Sequence, residues 1–183
     1  MITYIVCEGN FDAQLLKIAI PEKLLNDVEV VAAGGGYAIN SLARSLVVRR
    51  QVPVMIVVDA DSVEPELVQQ RLKDIEEIVG GVAANTPVKV VMAVPEIEII
   101  FFQDVSLLSR LLGYIPPKDI LDMAVYQPRK ALEQLISRSE IIHNSSEIID
   151  RLTKEEIESL RSSSVMQEIA HFLQSVRETA NAV

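Results

Sequence analysis

The sequence is poor in cysteine and in aromatic residues. Among its 183 residues there is a single cysteine, Cys7, there is no tryptophan, and aromatic residues make up 4%. One cysteine cannot form a disulfide within the chain or build a cysteine-rich zinc site, and this usage is typical of a reducing compartment. The scarcity of aromatic residues leaves few rings on which nucleic-acid bases could stack.

Positive charge is also in short supply. The chain carries 17 Lys and Arg against 26 Asp and Glu, which gives a formal net charge of −9. This charge opposes non-specific adhesion to nucleic acid or to an anionic membrane, so a polyanion would have to meet a local basic patch. The basic residues best able to supply one are Arg49, Arg50, Arg110, Lys118, Arg129, Lys130 and Arg138.

Long apolar runs are absent as well. No stretch of the sequence is long enough to cross a bilayer, and the apolar segment at residues 1–7 is too short for a signal peptide. We therefore expect a cytoplasmic protein that has no membrane partner.

The first half of the chain alternates strand and helix patterns. Residues 2–7, 28–33, 53–58 and 88–94 are rich in Val and Ile with little polar alternation, which is typical of strands buried on both faces of a parallel sheet. Apolar residues at helical spacing over 39–47, and a second helix between Pro65 and Gly80, lie between strands. This rhythm predicts an α/β fold with a Rossmann-like, four-stranded, mainly parallel sheet between helices.

The second half of the chain has helical patterns. Thr153 and Glu156 match a capping box, and apolar residues at helical spacing over 169–176 predict a final amphipathic helix. No long polar linker separates the two halves. The sequence therefore predicts an α/β domain over residues 1–103 and a helical extension over residues 104–183 that packs on the same core.

Acidic residues follow the third predicted strand. Asp59 and Asp61 flank one residue just past this strand, so both carboxylates can turn toward a common point. Ligands bind at the carboxyl ends of strands in open α/β sheets, and carboxylate oxygens suit Mg²⁺, with Mn²⁺ as the alternative ion. The competing interpretation is that these aspartates only cap the next helix.

Two more features follow the first and second predicted strands. Glu8 ends the first strand, and a carboxylate close to two others is expected to have a raised pKa, which suits a general acid or base or a further metal ligand. Gly34, Gly35 and Gly36 precede a helix and can present backbone N–H groups to a phosphate, although a simple tight turn explains them equally well.

Glu96 and Glu98 follow the fourth predicted strand. If the strand continues, both side chains share one face; if a helix begins there, they diverge by about 200°. We therefore expect both glutamates to join a metal site only if the strand continues.

Three segments together resemble the Toprim domain, which is shared by bacterial primases, topoisomerases, OLD-family nucleases and ribosomal-RNA maturases. They are residues 5–12 (IVCEGNFD), the glycine loop, and residues 56–62 (IVVDADS). The order Glu-Gly-x-x-Asp, glycine turn, Asp-x-Asp covers about the first 100 residues.

The resemblance implies roles for individual residues. It implies acid–base or metal chemistry for Glu8, with Gly9 and Asp12 in support, and Mg²⁺ binding by Asp59 and Asp61. Glu96 and Glu98 look like the additional acidic element of the OLD-family nuclease branch, which can serve a second metal ion.

The leading functional hypothesis is Mg²⁺-dependent hydrolysis of phosphodiester bonds in DNA or RNA, with Asp59 and Asp61 on the metal and Glu8 as acid, base or ligand. A different class is a non-catalytic Toprim module that acts with a partner ATPase or in a defence complex, which the net charge favours. A third hypothesis is a haloacid-dehalogenase-type phosphatase with Asp59 as nucleophile, because residues 59–63 fit the motif Asp-x-Asp-x-Val. In such phosphatases the motif normally lies at the start of the fold, whereas here two predicted strands precede it.

Overall fold

The runs of Val and Ile form four strands that make one sheet. All neighbouring strands are parallel, and across the sheet the second strand of the chain comes first, followed by the first, third and fourth. The strands are β1 (Thr3–Cys7), β2 (Val28–Ala32), β3 (Val54–Asp59) and β4 (Val88–Ala93). The predicted α/β class with a four-stranded parallel sheet is thereby confirmed.

The computed structural model describes residues 2–181; residues 1, 182 and 183, which the predicted domain bounds include, lie outside the described residues. A π-helix (Leu46–Arg50) continues the α-helix Gly36–Ser45, and a 3₁₀ helix (Ile97–Gln103) follows β4. The α-helices are α1 (Asn10–Ala19), α2 (Glu22–Leu25), α3 (Gly36–Ser45), α4 (Pro65–Gly80), α5 (Val105–Leu112), α6 (Lys118–Ala124), α7 (Pro128–Ser137), α8 (Ser145–Asp150), α9 (Lys154–Leu160) and α10 (Ser164–Asn181). Within this part of the chain, no helix is both long and apolar enough to span a bilayer.

The alternation of side chains along each strand builds two apolar layers. In β1, Tyr4 and Val6 face a cluster formed with α3, the π-helix and α4, whereas Ile5 and Cys7 face a cluster formed with α1 and the helices of the second half. Each fully buried large apolar side chain contributes roughly 1.5–3 kcal/mol to folding. Both faces of the sheet are therefore covered, as the uninterrupted apolar strands predict.

The second half of the chain packs on one face of the sheet. Buried residues from α5 to α10, among them Leu108, Leu135 and Ile169, belong to the same apolar cluster as Ile5 of β1. The predicted capping box is present at the start of α9, where Thr153 Oγ1 accepts from the Glu156 N–H and Glu156 Oε2 accepts from the Thr153 N–H. These helices bring α7 against the 3₁₀ helix at the carboxyl end of the sheet.

The segment after β4 corrects one expectation. Residues 97–103 form a 3₁₀ helix rather than a continued strand, and Glu96 precedes that helix in an extended conformation. The change of backbone conformation between Glu96 and Glu98 brings both side chains to the same arginine, Arg129. The expectation that the two side chains diverge unless the strand continues is therefore wrong, because it assumed that both would lie in one regular element; that both glutamates join a metal site stays a prediction.

Candidate active site at the carboxyl ends of the strands

The register of the sheet places the polar strand ends side by side. Cys7 of β1 pairs with Ala32 of β2 and with Val57 of β3, and Asp59 pairs with Ala93 of β4. Glu8, the glycine loop, the 59–61 segment and the 96–98 segment consequently lie along one edge of the molecule. Parallel α/β sheets bind their ligands at this edge.

Arg129, the second residue of α7, gathers one set of carboxylates. Its Nη2 donates to Asp59 Oδ2, and its Nε donates to Glu98 Oε1 over 2.9 Å. Its backbone N–H donates to Glu96 Oε2 over 2.9 Å, and its Nη1 lies 3.8 Å from Glu96 Oε1. Because Asp59 and Glu98 are only 3% and 4% exposed, the guanidinium group of Arg129 is the positive charge that offsets two nearly buried carboxylates.

Arg71 of α4 forms ion pairs with a second group of carboxylates. Its Nη1 lies 2.9 Å from Asp61 Oδ2, and its Nη2 lies 3.4 Å from Glu8 Oε1. Asp61 reaches this position with a left-handed backbone (φ 55°), and its N–H donates to the Pro95 carbonyl. The structure therefore brings Glu8 together with Asp61, and it brings Asp59 together with Glu96 and Glu98.

Burial gives the acidic side chains unusual acidities. It raises the pKa of Asp59 to about 7, because removal from water and the nearby Glu98 carboxylate outweigh the attraction of Arg129. Burial is also the main cause of a raised pKa at Glu98, and at Glu8, where Asp61 adds to the rise and Arg71 opposes it. Raised carboxylate pKa values in a cleft are a frequent mark of a functional site.

Gly9 and Asp12 shape the start of α1. The Gly9 N–H donates to Asp12 Oδ2 over 2.9 Å, and Asp12 is almost completely buried. This bond satisfies one of the N–H groups that a helix leaves without a partner at its N-terminus. The contact fixes the turn that directly follows Glu8, so Gly9 and Asp12 help to position the Glu8 backbone.

The glycine loop fixes the backbone of Glu8. The N–H groups of Gly34 and Gly35 both donate to the Glu8 carbonyl over 3.0 Å, and both glycines have positive φ angles, which side chains disfavour. Two of the amides that we expected to meet a phosphate are therefore already engaged. Of the three glycines, only Gly36, the first residue of α3, remains a candidate to offer its backbone N–H to a phosphate. Gly36 is close to the Glu8 side chain: a Cβ atom added to it would lie 3.7 Å from Glu8 Oε2.

A cleft of about 590 Å³ opens over this edge of the sheet. It is bordered by the start of α1, the glycine loop and α7, and its volume lies within the range of ligand sites. The polar residues that line it include Glu8, Asp12, Glu98 and Arg129. The cleft therefore gives a ligand access from solvent to Glu8, Asp12 and Glu98.

The donor atoms fit a hard divalent cation such as Mg²⁺. They are carboxylate oxygens, and the buried Glu98 Oε2 has no hydrogen-bond partner among the described residues. The two arginines, however, hold the carboxylates in separate groups, and within residues 2–181 no three Asp, Glu, His or Cys side chains are grouped closely enough to hold a metal ion. An ion bound here would have to replace at least one guanidinium group.

The sequence did not indicate that Arg71 and Arg129 pair with the carboxylates of the site. Arg129 was a candidate only for a surface basic patch, and Arg71 was not singled out. Arg71 lies ten residues after Asp61 on a predicted helix that follows the strand, which is a usable signal. Arg129 is separated from Asp59 by 70 positions, so only the packing of α7 against the 3₁₀ helix brings them together.

Comparison with known proteins gives a structural match. No protein-family model matches the chain, and no curated protein matches it. Among solved structures, the C-terminal region of the Burkholderia pseudomallei OLD protein matches with a TM-score of 0.56 and 15% sequence identity, covering 94% of this chain and 96% of that one. The chain is therefore similar in fold to that region over nearly its whole length, which includes the sheet and the helical second half.

Proposed function

We propose that the chain is a Mg²⁺-dependent nuclease that hydrolyses phosphodiester bonds in DNA or RNA. The observation that carries this proposal is the set of carboxylates, Asp59 and Glu98 nearly buried and Glu8 partly so, that lines the carboxyl edge of a parallel sheet beside an open cleft. The Toprim-like order of motifs and the fold shared with an OLD protein region support the nucleic-acid substrate.

Each acidic residue then has a role. Asp59 and Asp61 would hold Mg²⁺, or Mn²⁺ in its place, with Glu98 and Glu96 as further ligands. The bound ion would neutralise charge on the phosphate and lower the pKa of a water molecule. Glu8 has a raised pKa, so it can carry or accept a proton closer to neutral pH than an ordinary glutamate, or it can serve as a further ligand.

The arginines supply the positive charge that the acidic chain otherwise lacks. The side chain of Arg129 is 42% exposed beside the cleft, so a phosphate oxygen can reach its guanidinium group. In the structure the Arg129 guanidinium group forms ion pairs with Asp59, Glu96 and Glu98. We propose that a phosphate oxygen of the substrate would bind the Arg129 guanidinium group in place of the carboxylates, which would then be free to hold the ion.

A cleavage assay tests the proposal. Single- and double-stranded DNA and RNA are incubated with the protein in Mg²⁺, in Mn²⁺ and in a chelator. We expect metal-dependent cleavage of at least one substrate. Glu8→Gln should lower the rate about 100-fold or more, because general acid–base groups typically contribute that much. Asp59→Asn should cause a comparable loss, because it removes a proposed ligand of the ion.

Asp122→Asn provides the matched control, because it removes an exposed carboxylate on α6, outside the site. It should leave the cleavage rate unchanged. Metal-dependent cleavage that proceeds equally well in Asp59→Asn and Glu8→Gln would show that these carboxylates do not carry the chemistry.

One observation favours the alternative of a non-catalytic module. The site arginines are paired within the protein, and the chain has a net charge of −9, so affinity for a polyanion would have to come from a partner such as an ATPase.

The phosphatase alternative has less support, because both oxygens of Asp59 are engaged, Oδ1 by the Ile97 N–H over 2.8 Å and Oδ2 by Arg129. Asp59 is only 3% exposed, and Oδ2 would have to leave the guanidinium group before it could attack a phosphorus atom.

A further inference from the structure

A second cleft, of about 500 Å³, lies on the other side of Glu8 between α3 and α4. It shares Glu8 with the first cleft but is otherwise formed by different residues. Its charged and amide lining comes from Glu8, Asn40, Asp61, Arg71 and Asp74, and its apolar lining includes Ile75 and Ile78. The proposed chemistry uses Glu8 and Asp61 at the edge of this cleft, but it does not use the space between α3 and α4.

Tyr37 stands at the edge of this cleft with its side chain in solvent. Its relative exposure is 102%, the highest of the large apolar and aromatic residues on the described surface. Tyr37 is the second residue of α3 and directly follows Gly36, whose backbone lies against the Glu8 carboxylate. An aromatic ring is thus presented to solvent one residue from the candidate active site, in a chain with only eight Phe and Tyr residues and no Trp.

Two polar atoms of the cleft residues lack partners. Asn40 Oδ1 and Arg71 Nε make no hydrogen bond within the described part of the chain. Arg71 uses its two terminal nitrogens for Asp61 and Glu8, which leaves Nε as a remaining donor. A buried polar atom without a partner is costly, and both atoms belong to residues that line the cleft, so a ligand that reached them with one donor and one acceptor would relieve that cost.

The charge of the cleft limits what can occupy it. Glu8, Asp61 and Asp74 all line it against one arginine, so a phosphate or carboxylate group would be repelled. A flat, neutral group with hydrogen-bonding edges meets the apolar side chains, the unpartnered polar atoms and the exposed ring together. Nucleobases have this chemistry, and every base offers a face for stacking on an aromatic ring.

We infer that this cleft is a subsite for an unpaired nucleobase, which stacks on Tyr37 while the adjoining phosphodiester lies in the first cleft, on the side of Arg129. The inference rests on the proposed function and deepens it, because a base inside a duplex has no free face. The substrate class is therefore single-stranded nucleic acid, or a single-stranded end or flap. Stacking also gives an acidic chain a source of affinity that does not depend on phosphate contacts.

Binding of a fluorescent single strand tests the subsite separately from cleavage. A short single-stranded oligonucleotide that contains 2-aminopurine is titrated with the full chain in chelator, so that no hydrolysis is required, and the same sequence is titrated as a duplex. We expect the single strand to bind more tightly and the 2-aminopurine emission to be quenched on binding. Tyr37→Ala should weaken binding about 5- to 150-fold, the range for loss of one base–aromatic stack.

Conservative and control variants separate stacking from folding. Tyr37→Phe and Tyr37→Trp should retain the binding and the quenching, because the aromatic face is kept. Tyr126→Ala should also retain both, because Tyr126 is an exposed tyrosine that does not line either cleft.

The outcomes distinguish this inference from the proposed function. Equal binding of the single strand by the wild type and Tyr37→Ala, or no binding of the single strand by the wild type, would overturn the subsite even if Asp59→Asn abolishes cleavage. Binding and quenching that depend on Tyr37 in a protein that cleaves no substrate would support the subsite and count against the nuclease.

Discussion

Arg129→Met is expected to lower the free energy of unfolding by about 2–3 kcal/mol at pH 8 in metal-free buffer. The substitution leaves Asp59 and Glu98, which are 3% and 4% exposed, without their cationic partner. Removing one partner of a fully buried ion pair typically costs about 3–5 kcal/mol. We expect less here, because the arginine side chain is 42% exposed and water can enter where it stood.

The loss should depend on pH and on metal. As pH falls through about 7, Asp59 takes up a proton and no longer needs the guanidinium, so the difference from the wild type should shrink. Mg²⁺ should restore part of the stability if it binds the same carboxylates.

Chemical denaturation of Arg129→Met and Lys130→Met provides the measurement and its control. Lys130 is exposed on the same helix, and its replacement removes the same charge without touching the site. Equal unfolding midpoints for the two variants at pH 8 would show that Arg129 does not compensate the buried carboxylates.

Asp59→Asn is expected to stabilise the protein above pH 7, by up to about 4 kcal/mol. The pKa of Asp59 rises from an ordinary value of 3.8 to about 7 on folding, so the folded state binds the proton more tightly than the unfolded chain. The resulting stability is fully present below about pH 3.8 and is lost as pH rises through 7. Asparagine keeps an oxygen for the Ile97 N–H but carries no charge, so the variant should not lose stability in this way.

Urea unfolding of the wild type and Asp59→Asn between about pH 4 and 8 measures this difference in chelator. The two free energies should converge toward pH 4 and separate as pH rises, while Asp122→Asn should follow the wild type throughout. A variant that is no more stable than the wild type at pH 8 would show that the Asp59 carboxylate is not penalised by burial. If the variant also loses cleavage, Asp59 trades stability for activity.

The fold follows from the sequence because its signals are local and repeated. Four short Val- and Ile-rich runs predict parallel strands, and in the structure Val6 and Ile56 are buried on one face while Cys7 and Val57 are buried on the other. The capping residues Thr153 and Glu156 predict the start of a helix from side-chain chemistry alone.

The candidate site was less predictable because its partners are distant in sequence. The ends of the strands indicate where carboxylates gather, but nothing in the 59–61 segment indicates that Arg129 reaches Asp59. The same holds for the glycine loop. Its composition is equally consistent with phosphate binding and with a turn, and only the bonds from Gly34 and Gly35 to the Glu8 carbonyl show how its amides are used.

The ability of these carboxylates to hold a divalent cation is tested most directly by anomalous diffraction from crystals soaked in Mn²⁺. We predict an anomalous peak at the carboxyl edge of the sheet, with oxygen ligands from Asp59 and Asp61 and with at least one of the Arg71 and Arg129 guanidinium groups displaced. The same crystals of Asp59→Asn should lose the peak. Both arginines remaining on their carboxylates, with no Mn²⁺ at this edge, would contradict a metal-dependent active site.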